Sequence, residues 1–441
     1  MTQTIKKNLN DYAWARWTAM VLIALMMLFA HMFVDVISPI KELIQVQRGW
    51  TSDIFGTYAG SEYLLNVWGF LILAGIILDK MGIRFTGLAS AIIMIIGAAS
   101  KFYAVSNAFI GTGLENWLNS WWTSFPASAK LASAGFMIFG CGCEMAGITA
   151  SKAMAKWFEG KEMALAMGLE MALTRVSVFL IFTISPRLAG IGGADPSVVR
   201  PVAFCLALLC IGLLFYSIFC VMDKKLDASV AAAETATEEE GFHFSDLKVI
   251  FTNTGFWLIA ILCVLFYSGV FPFLKFATKL MIYKYNVDPE LAGLIPAMLP
   301  FGTILLTPIF GSLYDRLGKG ATLMIIGSAM LTLVHVLFAL PILNVWWFAI
   351  LVMIVLGIAF SLVPSAMWPS VPKIIPMKQL GSAYAIIFYI QNIGLSMVPV
   401  MIGKVIQNYA TIETAEGVTY DYTIPMSIFA LFGIVSIVVS F

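Results

Sequence analysis

The sequence predicts an all-α integral membrane protein with twelve transmembrane helices in two six-helix halves. Three observations carry that prediction: an apolar composition, twelve stretches long enough to cross a bilayer, and a loop motif that recurs half a chain apart. Of 441 residues, 60% are hydrophobic and 12% charged, and the mean hydropathy is +0.92. Soluble domains average about 25% charged residues, so a chain this apolar would expose large hydrophobic patches in water. The formal net charge of +1 offers no basic footprint for nucleic acid. All six cysteines fall in or beside apolar stretches. They read as small buried hydrophobes, not a disulfide framework.

The N-terminal stretch MTQTIKKNLNDYAWARW is polar and basic and runs into an apolar segment with no small-residue cleavage site. That segment reads as the first membrane helix, not a removed leader. Spans of about 20 apolar residues are predicted to begin near residues 17, 53, 83, 131, 161, 199, 254, 290, 320, 345, 379 and 424. With the N-terminus inside, 15 Lys and Arg face the cytoplasm and 10 the other side, Arg175 being left within a helix. The bias has the sign expected for two cytoplasmic termini. No Asn-x-Ser/Thr acceptor occurs, which points to a bacterial cytoplasmic (inner) membrane.

Two segments interrupt the pattern. In GTGLENWLNSWWTSFPASAK, residues 111–130, Leu114, Trp117, Leu118, Trp121 and Phe125 recur at helical spacing. They predict a short amphipathic helix lying in the outer interface. Residues 223–252 form the longest polar stretch, with an acidic cluster at Glu238–Glu240. This segment is expected to be a solvated cytoplasmic linker between an N-terminal half, 1–222, and a C-terminal half, 253–441.

The halves repeat a motif. GIILDKMGIR (75–84) follows the second span and GSLYDRLGKG (311–320) the eighth, both fitting Gly-x-x-x-Asp-[Lys/Arg]-x-Gly with their aspartates 236 residues apart. Glycine permits a tight turn, while Asp79 and Asp315 can accept from a helix N-terminus and pair with Arg84 or Arg316. Those four residues are the candidate cytoplasmic gate. Two such loops in a 6+6 arrangement resemble the signature of the major facilitator superfamily. The resemblance implies a site near mid-membrane, between the halves, that opens alternately to each side.

Ionisable residues inside the membrane should mark that site, because each costs roughly 2.5 kcal/mol or more unless paired or hydrated. The candidates are Glu62, Glu144, Glu170, Arg175 and Lys275, with Asp35 nearer the outer end of the first helix. Glu144 and Arg175 both fall roughly 17–21 Å from the cytoplasmic ends of adjacent antiparallel helices. Matching depth implies either a salt bridge or a two-ended clamp for a zwitterion. Cys141 and Cys143 flank this region, but two residues apart on a helix they point about 200° from one another and cannot easily grip one metal ion. Gly135, Gly140, Gly142 and Gly147 read as a close-packing seam. His31 and His335 read as helix-packing residues before proton relays. The tenth span's Pro364, Pro369, Pro372 and Pro376 suggest a kinked, bendable inner half.

Residues 140–175 (GCGCEMAGITASKAMAKWFEGKEMALAMGLEMALTR), 266–281 (FYSGVFPFLKFATKLM) and 367–396 (MWPSVPKIIPMKQLGSAYAIIFYIQNIGLS) resemble the dipeptide-transporting branch of the superfamily, known from lysosomes. Its most specific pieces are Trp157-Phe158-x-Gly160-Lys161-Glu162 and Gln379-Leu380-Gly381-x-Ala383-Tyr384, followed by Gln391-Asn392. The likeness implies dipeptide transport by alternating access, possible as uniport, with Glu144 holding the peptide's amine and Arg175 its carboxylate. It also matches Asp35 to an acidic position on the first helix; an interfacial helix-end cap is the alternative. Two extended residues span roughly 7 Å with a charge at each end, and Arg grips a carboxylate bidentately. Trp368, Tyr384 and Phe388 are candidates to line the side-chain pocket. Gln391 and Asn392 either bond across helices or reach the substrate backbone.

Glu170 and Glu62 depart from the family pattern and are candidates for proton coupling. A proton-coupled carrier of another organic anion or amino acid is therefore the alternative function, and a non-transporting nutrient sensor a minor one. No nucleophile–base constellation suggests an enzyme. The expected partners are a dipeptide-like small molecule and the lipid bilayer, for a monomer without cofactor, metal or nucleic acid.

Overall fold

The structure is a computed structural model, which describes residues 8–158, 161–230, 248, 250–375, 380–415 and 417–441. Twelve long helical segments follow in order. The N-terminal half contains α1 (Ala13–Asp35), α2 (Ser52–Leu78), α3 (Lys80–Val105), α4 (Ala127–Phe158), α5 (Met163–Ala189) and α6 (Val199–Val230). The C-terminal half contains α7 (Thr254–Tyr285), α8 (Leu299–Leu317), α9 (Gly320–Ala339), α10 (Trp346–Ile374), α11 (Leu380–Val405) and α12 (Thr423–Ser440). Eleven described helices are long and apolar enough to cross a membrane; α8 takes the remaining place. An even number of crossings puts both termini on one face.

Most helices begin within a few residues of the expected positions, and α8 is the exception. Its span was expected near residue 290, but Ala292–Leu294 and Pro296–Met298 form 3-10 turns before the α-helix starts. Proline offers no amide for a preceding turn. Gly293 lies so close to α5 that a Cβ on it would meet the Phe182 carbonyl oxygen at 2.6 Å. The expected linker also starts later than its polarity suggests, because α6 stays helical through residues 223–230. Asp223 is buried there and accepts from Lys156 Nζ (2.8 Å) and Trp157 Nε1 (3.0 Å). Glu238–Glu240 lie outside the described residues.

The amphipathic segment is shorter than expected. Its helix covers only Gly113–Asn119, capped by the Thr112 side chain accepting from the Glu115 amide, and the chain turns at Trp122 with φ 46°. The apolar stripe divides: Leu118 and Phe125 are buried, while Leu114, Trp117, Trp121 and Trp122 stay exposed. A hairpin that the sequence did not announce, β1 (Thr411–Thr414) with β2 (Gly417–Tyr420), joins α11 to α12. The tenth span is not broken at its first prolines, since α10 is helical through Pro364 and Pro369. It ends where Ile375 turns extended (φ −119°, ψ 132°) ahead of Pro376.

The repeated motif has a shared backbone signature. Gly82 and Gly318, each three residues after its aspartate, both take positive φ, +74° and +62°. Only glycine adopts that conformation without strain. Arg84 pairs with Asp227 (3.0 Å) and Asp223 (3.8 Å) of α6, partners the sequence did not assign. Arg316 is exposed; the side chains of Asp79 and Asp315 lie outside the described residues. Nearby, the specific stretch around Trp157 ties the half together: Glu162 pairs with Arg16 at 2.9 Å and Lys161 with Asp11 at 2.9 Å. A hydrogen bond from its own backbone amide, then that from Arg16, holds the Glu162 carboxyl below its ordinary range. Gly160 and Gln379 lie outside the described residues.

The glycine seam of α4 is real at three of four positions. A Cβ on Gly135 would meet the Gly97 carbonyl oxygen at 2.6 Å and one on Gly142 the Ser90 carbonyl oxygen at 2.7 Å; Gly147 is open. Gly140 is tightest, its would-be Cβ lying 1.8 Å from the Glu62 carbonyl oxygen. Gly140→Ala must push α2 away from α4. Overpacking of this kind costs about 1–3 kcal/mol, so purified Gly140→Ala should melt several degrees lower, whereas Gly147→Ala should match wild type.

Candidate functional site

The halves meet most tightly toward the face opposite the termini. Gly56 and Gly60 of α2 let α11 approach until a Cβ on either would fall 2.2 Å from the Pro399 or 2.0 Å from the Ser396 carbonyl oxygen. Ser396 Oγ donates to the Gly60 carbonyl at 2.9 Å and Ser52 donates its amide to Gln407 Oε1 at 3.4 Å. Beside them, α7 presents lysines to the end of α1 and the helix Lys41–Arg48. Lys275 pairs with Asp35 at 2.8 Å and Lys279 with Glu42 at 2.7 Å. Tyr283 also donates to Glu42 (2.9 Å), and Tyr420 of β2 covers the Lys279 ammonium at 3.7 Å. Asp35, Lys41, Lys275 and Lys279 are all buried.

Below this layer the polar groups change character. Glu144 of α4 and Arg175 of α5 sit at mid-depth, each partly accessible. Among the described residues, neither has an ion-pair or hydrogen-bond partner. They do not close on each other as a salt bridge. Arg175 instead lies over two C-half rings, Phe271 of α7 and Phe360 of α10, at 5.2 Å from each centroid. Glu170, one turn and a half earlier on α5, is also partly accessible and, among the described residues, has no hydrogen-bond partner.

Glu62 stands where α2 breaks: the helix Ser52–Ser61 ends just before it, and a π-turn spans Asn66–Phe70 with Gly69 at φ 108°. Its side chain is buried and, among the described residues, Oε2 has no hydrogen-bond partner. The sequence missed its neighbour Lys101, a fully buried lysine whose ammonium faces the rings of Phe33 (4.1 Å), Phe136 (4.6 Å) and Tyr58 (5.2 Å). Its place near the end of an apolar run made it read as a loop cation. Lys279, Glu42, Phe271 and Phe360 were missed too, the rings because nothing in sequence separates them from lipid-facing phenylalanines.

The structure gathers Trp368, Tyr384 and Phe388 into one cluster nearer the termini face. Trp368 stacks on Phe388 (5.0 Å), Tyr384 donates to the Trp368 carbonyl (3.2 Å), and Trp368 Nε1 donates to Tyr267 (3.1 Å). Gln391 and Asn392 are buried; Gln391 accepts from Cys263 (3.3 Å), while Asn392 Nδ2 lacks a partner. His31 bonds the Met27 carbonyl on its own helix and His335 that of Gly269, both at 2.8 Å. Asp35 serves the contact between halves, at the end of α1 with Ser38 also donating to it (3.3 Å).

The family model for the Major Facilitator Superfamily matches residues 23–399. The chain belongs to this superfamily. It is a multi-pass membrane transporter for a small-molecule substrate, not an enzyme. Among curated proteins it is similar to the Lysosomal dipeptide transporter MFSD1 of Danio rerio, 27% identical over 286 residues, covering 63% of this chain and 60% of that protein. The match to the transporter of that name from Pongo abelii is 25% identical over 381 residues, covering 84% of this chain and 74% of that one. The aligned part thus spans about 60% of the first relative's length. Among solved structures, a bacterial homologue of the human lysosomal transporter Spinster superposes with TM-score 0.71 at 13% identity, covering 96% of both chains. That likeness supports the fold alone.

The Asp35–Lys275 pair yields a test of the contact between halves. Removing one member of a buried pair strands the other charge and costs about 3–5 kcal/mol. Lys275→Met should therefore lower the melting temperature of the purified protein more than the double variant Lys275→Met/Asp35→Asn does.

Proposed function

We propose that this transporter carries dipeptides, or zwitterions of similar size, by alternating access, with Glu144 binding the ammonium and Arg175 the carboxylate. The observation that carries the reading is the state of these two groups. Opposite charges on neighbouring helices make no ion pair among the described residues, whereas Lys275, Lys279 and Lys101 are paired or caged. Glu62 and Glu170, which also make no ion pair among the described residues, enter the second reading below. A solute with an ammonium at one end and a carboxylate at the other satisfies both. The similarity to lysosomal dipeptide transporters favours the same substrate class. Trp368, Tyr384 and Phe388 would form an accommodating wall for side chains, with Asn392 offering its free amide to the peptide backbone.

The burial of the charged layer around Asp35 and Lys275, against the partial accessibility of Glu144 and Arg175, supports a conformation closed toward the face opposite the termini. We assign the termini to the cytoplasm from the Lys and Arg bias and the membrane to a bacterium from the lack of an Asn-x-Ser/Thr acceptor, with Asp79, Arg84, Asp315 and Arg316 forming the gate on the cytoplasmic side. Purified protein in liposomes should take up labelled dialanine, and Glu144→Gln or Arg175→Ala should reduce uptake at least a hundredfold. Transport retained in both variants would refute the clamp.

A proton-coupled carrier of another organic anion or amino acid is the second reading, favoured by the unpartnered Oε2 of buried Glu62 and by Glu170. In that case an imposed pH gradient should drive dialanine, or the anion that replaces it, above its external concentration. Glu62→Gln or Glu170→Gln should then leave only downhill flux. Equal accumulation with and without the gradient would assign uniport.

A further inference from the structure

Arg175 belongs to the N-terminal half, yet both rings that its guanidinium lies over belong to the C-terminal half. The guanidinium carbon lies 5.2 Å from the ring centres of Phe271 and Phe360, within the roughly 6 Å range of cation–π attraction. The two rings stand almost perpendicular, 5.3 Å apart at 86°. They are themselves held: Phe360 stacks on Phe266 (6.3 Å, 5°), and Tyr267 packs on both Phe360 (5.6 Å) and Phe271 (5.7 Å). The socket is therefore built from α7 and α10 and does not depend on Arg175 to exist.

A guanidinium is planar, with attractive π contact through its faces and five N–H donors around its edge. Because the rings stand at 86° to each other, a planar guanidinium can lie face-on to only one of them, and the other meets part of its N–H edge. With no hydrogen-bond acceptor assigned to Arg175 among the described residues, the rest of that edge remains available to an incoming planar anion. The rings also fix the long side chain in one place, which lowers the ordering cost that a free arginine would meet on binding.

We propose that Phe271 and Phe360 are positioning residues that hold Arg175 by cation–π contact across the boundary between the halves and so confer selectivity for a free carboxylate. This rests on the clamp proposed above, to which it adds the C-half partners of the arginine. The anion then touches an N-half residue whose position is set by the C-half, linking occupancy to the relation of the two halves. A C-terminal amide lacks the charge and the second acceptor for bidentate contact, so the socket should favour the acid form.

The test compares three probes by thermal shift on wild type, Phe271→Leu/Phe360→Leu and Phe271→Tyr/Phe360→Tyr: dialanine, dialanine amide and N-acetylalanine. Leucine keeps apolar bulk without a π face, and tyrosine keeps the face. The ordering cost that one freed arginine meets on binding implies a several-fold, up to about tenfold, weaker affinity of the leucine variant for dialanine. Its affinity for the amide should be unchanged, and the tyrosine variant should bind dialanine like wild type. Ligand-free melting curves show whether each variant folds, and a leucine variant that fails to fold leaves the decision to the tyrosine variant and to single Phe271→Leu. Dialanine binding equal to wild type in folded leucine variants overturns the proposal while leaving the clamp intact. Wild type that ignores dialanine but binds N-acetylalanine, with the same loss in the leucine variant, refutes dipeptide binding and keeps the socket. A wild type indifferent to all three overturns both.

Discussion

A charge inside a bilayer must be paired, caged or wetted, and this constraint organises the interior of the protein. Lys275 meets Asp35 and Lys279 meets Glu42 across the boundary between the halves. Among the described residues Lys101 makes no ion pair; it faces three aromatic rings and donates weakly to the Phe33 carbonyl (3.4 Å). Cation–π contact supplies part of what water would, at about 2 kcal/mol or more in a desolvated site. Arg175 receives the same treatment from two rings but keeps an accessible surface. The interior thus grades from buried ion pairs to a half-caged arginine and a partly accessible glutamate.

Backbone proximity sets the frame for those charges. Lipid tails give helices no hydrophobic reason to associate, so close packing at small residues must hold them. Gly140 against the Glu62 carbonyl, with Asn66 Nδ2 donating to the Gly140 carbonyl at 3.2 Å, fixes the broken stretch of α2 onto α4. On the other side of α2, Gly56 and Gly60 fix it onto α11. The same helix therefore carries Glu62 between a contact within its own half and a contact with the other half. Any rocking of the halves has to slide or part the second seam, which is stitched by hydrogen bonds from Ser396 to the Gly60 carbonyl, from Tyr389 to the Val67 carbonyl and from the Ser52 amide to Gln407, each uncharged beside the neighbouring ion pairs.

Much of this was legible in the sequence for a physical reason. Length and apolarity are dictated by bilayer thickness, so the helices of both halves could be read directly; α8 could not, because Gly293 and Pro296 spend part of its apolar run in 3-10 turns. The glycine of each Asp-containing loop was readable since positive φ excludes most other residues. Partners across helices were not. Arg84 finds Asp223 and Asp227, more than a hundred residues away, and the polarity of that acidic stretch read as linker when its first turns complete α6. Depth counting placed Glu144 with Arg175, but it could not distinguish a closed pair from two open groups, because distance across helices depends on side-chain direction.

The open arrangement has a consequence for selectivity in the proposed clamp. A dipeptide offers charges to both Glu144 and Arg175, whereas an amine alone or an acid alone satisfies one and desolvates the other without a partner. That unpaired group carries a penalty of roughly 2.5 kcal/mol or more at mid-membrane, equivalent to about a hundredfold in affinity. Discrimination would then come from what a wrong solute leaves unsatisfied, more than from contacts that a right one adds. It also explains how selective binding can coexist with tolerance of many side chains. In the proposed clamp the charged ends would be held at two points on neighbouring helices, while the Trp368 cluster would meet side chains through an aromatic surface.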